Sequence, residues 1–252
     1  MAIAATDLVL FASANMPDTD SGASGGAIDL LRRVDFTQIA ADDDIEVIST
    51  SASDTMNCTI EARLATGAIA SQTAALTGTS AKIFSTLGVV NRVLKVELAS
   101  GAVGTITVRR SVAGATVRTI PIGERGFMAL FRKCASDPSS TVNYYIKAFW
   151  KNIHGSLSLL NATAKQSADP DARVTHLLAA AVNDTATAAN RITAPAGADT
   201  LDPDTFDDTD KIVPGTDLAA AAAIGIWFRL QLPAADAPHN TTYTPALTGQ
   251  SA

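Results

Sequence analysis

GFMALFRKCASDPSSTVNYYIKAFWK, from Gly126 to Lys151, is the stretch whose reading decides the fold class. Two apolar, aromatic-rich runs flank Asp137-Pro138-Ser139-Ser140, a turn-forming group, and this pattern predicts a β-hairpin. In the second run Val142, Tyr144, Ile146, Ala148 and Trp150 share one face. Asn143, Tyr145, Lys147 and Lys151 share the other, with Phe149 out of step. Successive side chains of a strand point to opposite sides, so a period of two marks a half-buried strand. Phe127, Phe131, Tyr144, Tyr145, Phe149 and Trp150 are nearly half of the chain's aromatic residues. This density places the hairpin at the centre of a β-rich core.

Outward from it, the same alternation recurs. Met56–Leu64 is the clearest strand, with Met56, Cys58, Ile60, Ala62 and Leu64 on one side and Asn57, Thr59, Glu61 and Arg63 on the other. Gly67 ends it, and Ile69–Leu76 returns as its hairpin partner. Further strands are expected at Leu8–Phe11, Leu30–Phe36, Ile45–Ser49 (after an Asp42-Asp43-Asp44 turn), Val93–Leu98, Val103–Arg109, Ala115–Ile122 and Leu157–Ala162. Ile224–Leu232 closes the series, and Pro233 stops it because proline cannot donate to a ladder. Arg173–Ala189 is Ala-rich enough for a helix, but Thr175, Val182, Thr185 and Thr187 favour a strand plus loop. Residues 15–27 and 195–214 read as long loops. So many short strands at close spacing predict an all-β chain, a β-sandwich or jelly-roll-like arrangement of antiparallel sheets with long loops. The expected division is an N-terminal β domain over 1–155 and a C-terminal β region over 156–252 that can pack as part of the same domain.

Charged residues are 17% of the chain, below the usual quarter. The formal net charge of -6 speaks against direct nucleic-acid binding. No apolar run has the length of a membrane-spanning helix, and Asp7 with no basic start argues against a signal peptide. Charge is uneven: residues 1–81 are acidic, 82–151 strongly basic and 152–252 acidic again. Either folding interleaves these segments, or the basic middle meets acidic regions of adjacent copies and sets their register.

Chemistry leaves little trace. His154, His176 and His239 have no metal-ligand spacing, and Cys58 and Cys134 read as buried thiols on strands. No nucleophile elbow, phosphate loop or dinucleotide fingerprint occurs, and the Gly22–Gly26 run reads as loop. The acidic cluster Asp199, Asp202, Asp204, Asp207, Asp208 and Asp210 lacks the calcium-loop pattern and reads as solvated, with calcium or a basic partner as alternatives. No catalytic, cofactor-binding or metal residue is therefore assigned, and no enzyme activity is expected. Arg109, Arg110, Arg118, Arg125, Arg132 and Lys133 form a basic series better suited to a protein contact than to a nucleic-acid strand. Trp227 lies opposite the apolar face of its strand, so it is a candidate for a sugar face or an interface. Arg109, Arg110 and Trp227 are the candidate interface residues.

Three groups of segments resemble all-β virion proteins of tailed bacteriophages. The first is GGAIDLLRRVDFTQIAADDDIEVISTSASDT (25–55), continuing into GAIASQTAALTGT (67–79) and FSTLGVVNRVLKVELASGAVGTITVRR (84–110). The second is FWKNIHGSLSLLNATAK (149–165), and the third is IGIWFRLQLPAADAPHNTTYTPALTG (224–249). The resemblance is one of strand and turn patterns rather than site residues. It implies a structural component present in many copies and made in the bacterial host cytoplasm, and it does not fix the place in the particle; the capsid surface, as a decoration or cement protein, is the first expectation. Its implied partners are the major capsid protein and copies of itself, as a dimer or trimer. A tail or collar component, or a receptor- or carbohydrate-binding tail protein, is the alternative.

Overall fold

The computed structural model describes residues 2–34, 39–168, 172–201, 205–237 and 243–251. Its strands are β1 (Leu8–Asn15), β2 (Ser24–Val34), β3 (Ile45–Ser49), β4 (Asn57–Leu64), β5 (Ile69–Ala75) and β6 (Lys82–Ile83). β7 (Val90–Leu98), β8 (Ile106–Arg110), β9 (Thr116–Ile120), β10 (Gly126–Met128) and β11 (Val142–Asn152) follow. Last come β12 (Leu159–Ala168), β13 (Val174–Val182), β14 (Thr187–Ala188), β15 (Lys211–Ile212), β16 (Ala223–Leu232) and β17 (Thr244–Ser251). Among the described residues the only helical elements are single 3-10 turns at Ala5–Asp7 and Gly197–Asp199. The fold is all-β, and its sheets mix antiparallel with parallel pairing, since β10 runs parallel to β2. The ambiguous Arg173–Ala189 segment is a strand, β13, followed by the short β14.

The chain forms two compact units, Leu30–Ala129 and the pair of segments Met1–Asp29 with Leu130–Ala252. Residues 155 and 156, the division expected from the sequence, both lie inside the second of these.

In Leu30–Ala129 one set of strands runs β10-β7-β4-β5 and another runs β6-β3-β8-β9. The expected β4–β5 hairpin forms, with partners from Asn57↔Ala75 to Arg63↔Ile69. Cys58, Ile60 and Ala62 are wholly buried, as their alternation requires. Both sets of strands contribute to one apolar cluster: Ile45 and Val47 from β3, Cys58 and Ile60 from β4, Val96 and Leu98 from β7, Ile106 and Val108 from β8. Glu61, expected on a solvated face, is buried as well. β7 covers β4 on the side away from β5, so β4 is an inner strand.

In Met1–Asp29 with Leu130–Ala252 the order is β13-β16-β11-β1-β2, beside a three-stranded β15-β12-β17 sheet. β11 and β16 pair antiparallel over ten residues, Val142↔Leu232 to Lys151↔Ala223. Each also has a partner on its other edge. Tyr144 to Phe149 and Ala223 to Phe228 are buried without interruption, so both faces are covered and the expected half-buried alternation does not hold.

The predicted Gly126–Lys151 hairpin does not form. β10 pairs with β2 and β7, whereas β11 pairs with β1 and β16. The turn chemistry was read correctly: Asp137 Oδ1 accepts from the backbone N–H groups of Ser139 and Ser140 at 2.8 and 2.9 Å. What fails is the inference that a turn joins paired neighbours. Only three residues on its N-terminal side are strand, and Gly126 packs so closely that a Cβ there would collide with the Val96 carbonyl oxygen.

Candidate functional site

Arg109 and Arg110 both serve their own unit. Arg109 Nε lies 2.6 Å from Oε1 of Glu46, a carboxylate that is 1% exposed and also accepts from the Ala113 N–H. Arg110 pairs with Asp43 at 2.9 Å. These pairs join β8 to β3 and its preceding turn, so two acidic residues of the early chain neutralise the basic middle. Lys133 with Asp18 (2.7 Å) repeats the pattern, while Arg33 with Glu124 (2.5 Å) pairs an early cation with a carboxylate of the middle. Folding therefore interleaves the charged segments, at least in part. Trp227 is fully buried and offers no surface to a sugar or a neighbouring chain. Tyr144 and Tyr145 are buried too.

A buried polar constellation lies around Trp227 and was not read from the sequence. Lys147 stands opposite Trp227 in the β11–β16 register and is wholly buried. Its Nζ lies 4.9 Å from the centre of the Phe149 ring and 5.4 Å from that of Trp227. It donates to Asp184 Oδ1, in the turn after β13, and to the Ala186 carbonyl at 3.2 Å. Asp184 Oδ1 also accepts from the Ala186 N–H at 2.9 Å, while buried Oδ2 has no hydrogen-bond partner. Gly225 makes the room: a Cβ there would come within 2.6 Å of Lys147 Cε and 2.7 Å of Asp184 Oδ2. Gly25 closes the other side at a positive φ of 95°, where a Cβ would meet the Trp227 ring at 2.7 Å. The Gly-rich segment thus serves close packing over a tryptophan. Burial holds the Lys147 amine below its ordinary value, against the opposing effect of Asp184. A single Lys amid YYIKAFW was the available signal, but strand alternation assigned it to solvent.

Two further clusters flank this one in sequence. Arg191, 2% exposed, donates to the carbonyls of Arg132 and Lys133, pairs with Asp20 at 2.7 Å and lies 4.8 Å from the Tyr144 ring centre. Cys134 sits beside it, in irregular chain rather than on the expected strand, with its thiol pushed by burial up to about 12. Cys58 lies on β4, and burial pushes its thiol up to about 12 as well. Neither is positioned as a ready nucleophile.

Around β13, His176 Nδ1 lies 3.0 Å from the Tyr243 hydroxyl. The buried Lys211 ammonium pairs with Asp207 at 2.8 Å. Burial holds the His176 ring below its ordinary value, and Lys211 adds to this. Asp207 is held well below the usual carboxylate range: hydrogen bonds from Lys211 and Thr209 outweigh the effect of its burial.

His154 Nδ1 accepts from the Ser156 and Leu157 N–H groups and shapes a turn. His239, Asp202 and Asp204 lie outside the described residues. Among the described residues no three His, Cys, Asp or Glu side chains converge as a metal site, and no helix is long and apolar enough to cross a membrane. No protein-family model matches the chain, and neither a curated protein nor a solved structure matches it significantly.

Proposed function

We propose that this chain is a non-enzymatic structural subunit of a tailed-bacteriophage particle, placed on the outer capsid as a decoration or cement protein. We further propose that Leu30–Ala129 is a β-sandwich, a reading supported by the single apolar cluster to which both sets of its strands contribute. The observation that carries the functional reading is the distribution of exposed aliphatic side chains. Val112 is 81% exposed in the β8–β9 turn, and Val103 (55%) and Ile122 (68%) stand at the opposite end of the same two strands. Leu30, Leu31 and Val89 add to these within the one unit. Exposed apolar side chains concentrated on a small β unit suit burial against repeated neighbours. The segmental resemblance to virion proteins points the same way.

Arg109 and Arg110 enter this proposal through the shape of β8 rather than as free charges, because each already holds a carboxylate of its own unit. Contact with the major capsid protein, or between copies in a dimer or trimer, is then chiefly apolar. Such contact survives high salt, which shortens the Debye length from about 10 Å at 0.1 M to about 3 Å at 1 M. Cryo-electron microscopy of purified particles tests the reading. Density for this chain at regular positions on the capsid is expected. Density confined to the tail or collar would move it to that component, and absence from particles would overturn the structural assignment.

A further inference from the structure

We propose that Lys147 and Asp184 join in an intramolecular isopeptide bond, which ties β11 to the turn after β13 by a covalent link between side chains. This inference is independent of where the chain resides. The two reacting groups already touch, in a pocket formed by Phe149, Trp227, Ala179 and Gly225. Lys147 is wholly buried, and among the described residues no other carboxylate is hydrogen-bonded to its Nζ.

The reaction balances without a co-reactant. An ammonium proton passes to the Asp184 carboxylate within the pair, leaving a neutral amine and a neutral acid. The Nζ lone pair then adds to Cγ. The N–Cγ bond forms, the Cγ–Oδ2 bond breaks, and Oδ2 departs with two protons as water. Ammonium plus carboxylate becomes a secondary amide plus water, with no change of oxidation state.

Each local feature favours this course. The Ala186 N–H already donates to Oδ1, where negative charge grows as Nζ adds and where the amide oxygen is left. Oδ2, the oxygen that leaves, has no hydrogen-bond partner and takes both its protons from the Lys147 nitrogen, one before the addition and one after it. Holding the groups in contact replaces a bimolecular encounter, which is worth a large effective concentration. Burial disfavours the charged form of Lys147, so the neutral amine needed for attack is closer in energy than in water. The lowered affinity of the Lys147 amine for its proton agrees with this. The product removes the buried charge of Lys147 and that of its partly buried partner.

Intact-mass spectrometry of the denatured full-length chain, after purification in the folded state, tests the proposal. The expected mass is one water molecule below that of the sequence. Proteolysis should yield a branched species that contains both Lys147 and Asp184, with no cleavage after Lys147. Lys147→Arg should restore the full sequence mass. Asp184→Asn should lose ammonia instead of water and arrive at the same final mass as the native product. Full sequence mass in the native folded chain, unchanged on prolonged incubation, overturns the proposal whether or not the variants fold. Loss of one water without the branched peptide also overturns it, since a cyclic imide at an aspartate has the same mass.

Discussion

In Leu30–Ala129 the Asp, Glu, Lys, Arg and His side chains buried among the described residues are all carboxylates: Glu46, Asp54, Glu61 and Glu124. In Met1–Asp29 with Leu130–Ala252 they are Arg132, Lys147, His176, Arg191 and Lys211, nitrogen bases throughout. The partners explain the difference. Asp54 accepts from the Ser49 hydroxyl at 2.5 Å and from the Val103 and Gly104 N–H groups at 2.8 and 2.9 Å, and Glu46 accepts from the Ala113 N–H. Arg191, Arg132 and Lys147 instead donate to backbone carbonyls, those of Arg132 and Lys133, of Met16 and of Ala186. Irregular connections between strands leave backbone groups unpaired, and each must find a partner if it is out of water. One unit's connections present N–H groups inward and recruit carboxylates. The other's present carbonyls and recruit cations. For Asp54, Glu46, Arg132, Lys147 and Arg191 the sign of the buried charge matches the backbone groups that face it.

The largest expected effect strikes this contrast directly. Asp184→Ala strands Lys147 in the core without its counter-charge, a change that costs about 3–5 kcal/mol for a buried pair, before any loss of a covalent link. Hydrogen exchange should place the loss in Met1–Asp29 and Leu130–Ala252. Protection lost evenly along the chain would mean that the pair is not a local device. Ile60→Ala in the aliphatic core of Leu30–Ala129 is expected to cost about 2–5 kcal/mol through a cavity, read from denaturant melts. A much smaller cost would show that this core is loosely packed and that the contrast with the polar core is overstated.

Asp54→Asn should cost about 1–3 kcal/mol, because the amide cannot accept from all three donors. Burial raises the Asp54 pKa, but the bonds from Ser49, Val103 and Gly104 outweigh it and hold the carboxyl below its ordinary value of 3.8. A folded value below the unfolded one means that the contribution is complete above 3.8 and is lost as pH falls through the folded pKa. Acid titration followed by melting temperature should show native and Asp54→Asn chains converging below that range. A gap that stays constant into strong acid would remove the carboxylate from the account. The smallest effect on folding is expected from Val112→Ser, within about 0.5 kcal/mol, since that side chain is exposed. On the capsid-surface reading, the same variant should load onto particles less well than the native chain. Normal loading would free this turn from the proposed interface.

How far each region could be read in advance tracks the same division. Met56–Leu64 and Ile69–Leu76 were legible as a hairpin, because one with a short turn needs only local alternation and a glycine. Glu61 was not, since β7 arrives from outside the hairpin to cover it. In β11 and β16 the apolar runs announced strands, yet Lys147 and Trp227 were both assigned to solvent. Alternation assumes one wet face, and here both are covered. Arg109 and Arg110 looked surplus to a single copy, but their acceptors, Glu46 and Asp43, lie more than sixty positions earlier in the chain.

The sequence by itself determined that this is an all-β chain, where β3, β4, β5 and β16 begin and end to within a residue, and that Asp137 builds a turn. These follow from side-chain period and backbone propensity, which act over a few residues. Tertiary structure alone decided that Gly126–Met128 and Val142–Asn152 part company, that β10 runs parallel to β2, and that Lys147 meets Asp184 over Gly225. Such outcomes depend on which distant strand covers which face. That choice is made by burial and by the pairing of backbone groups across the whole chain, and no local window contains it.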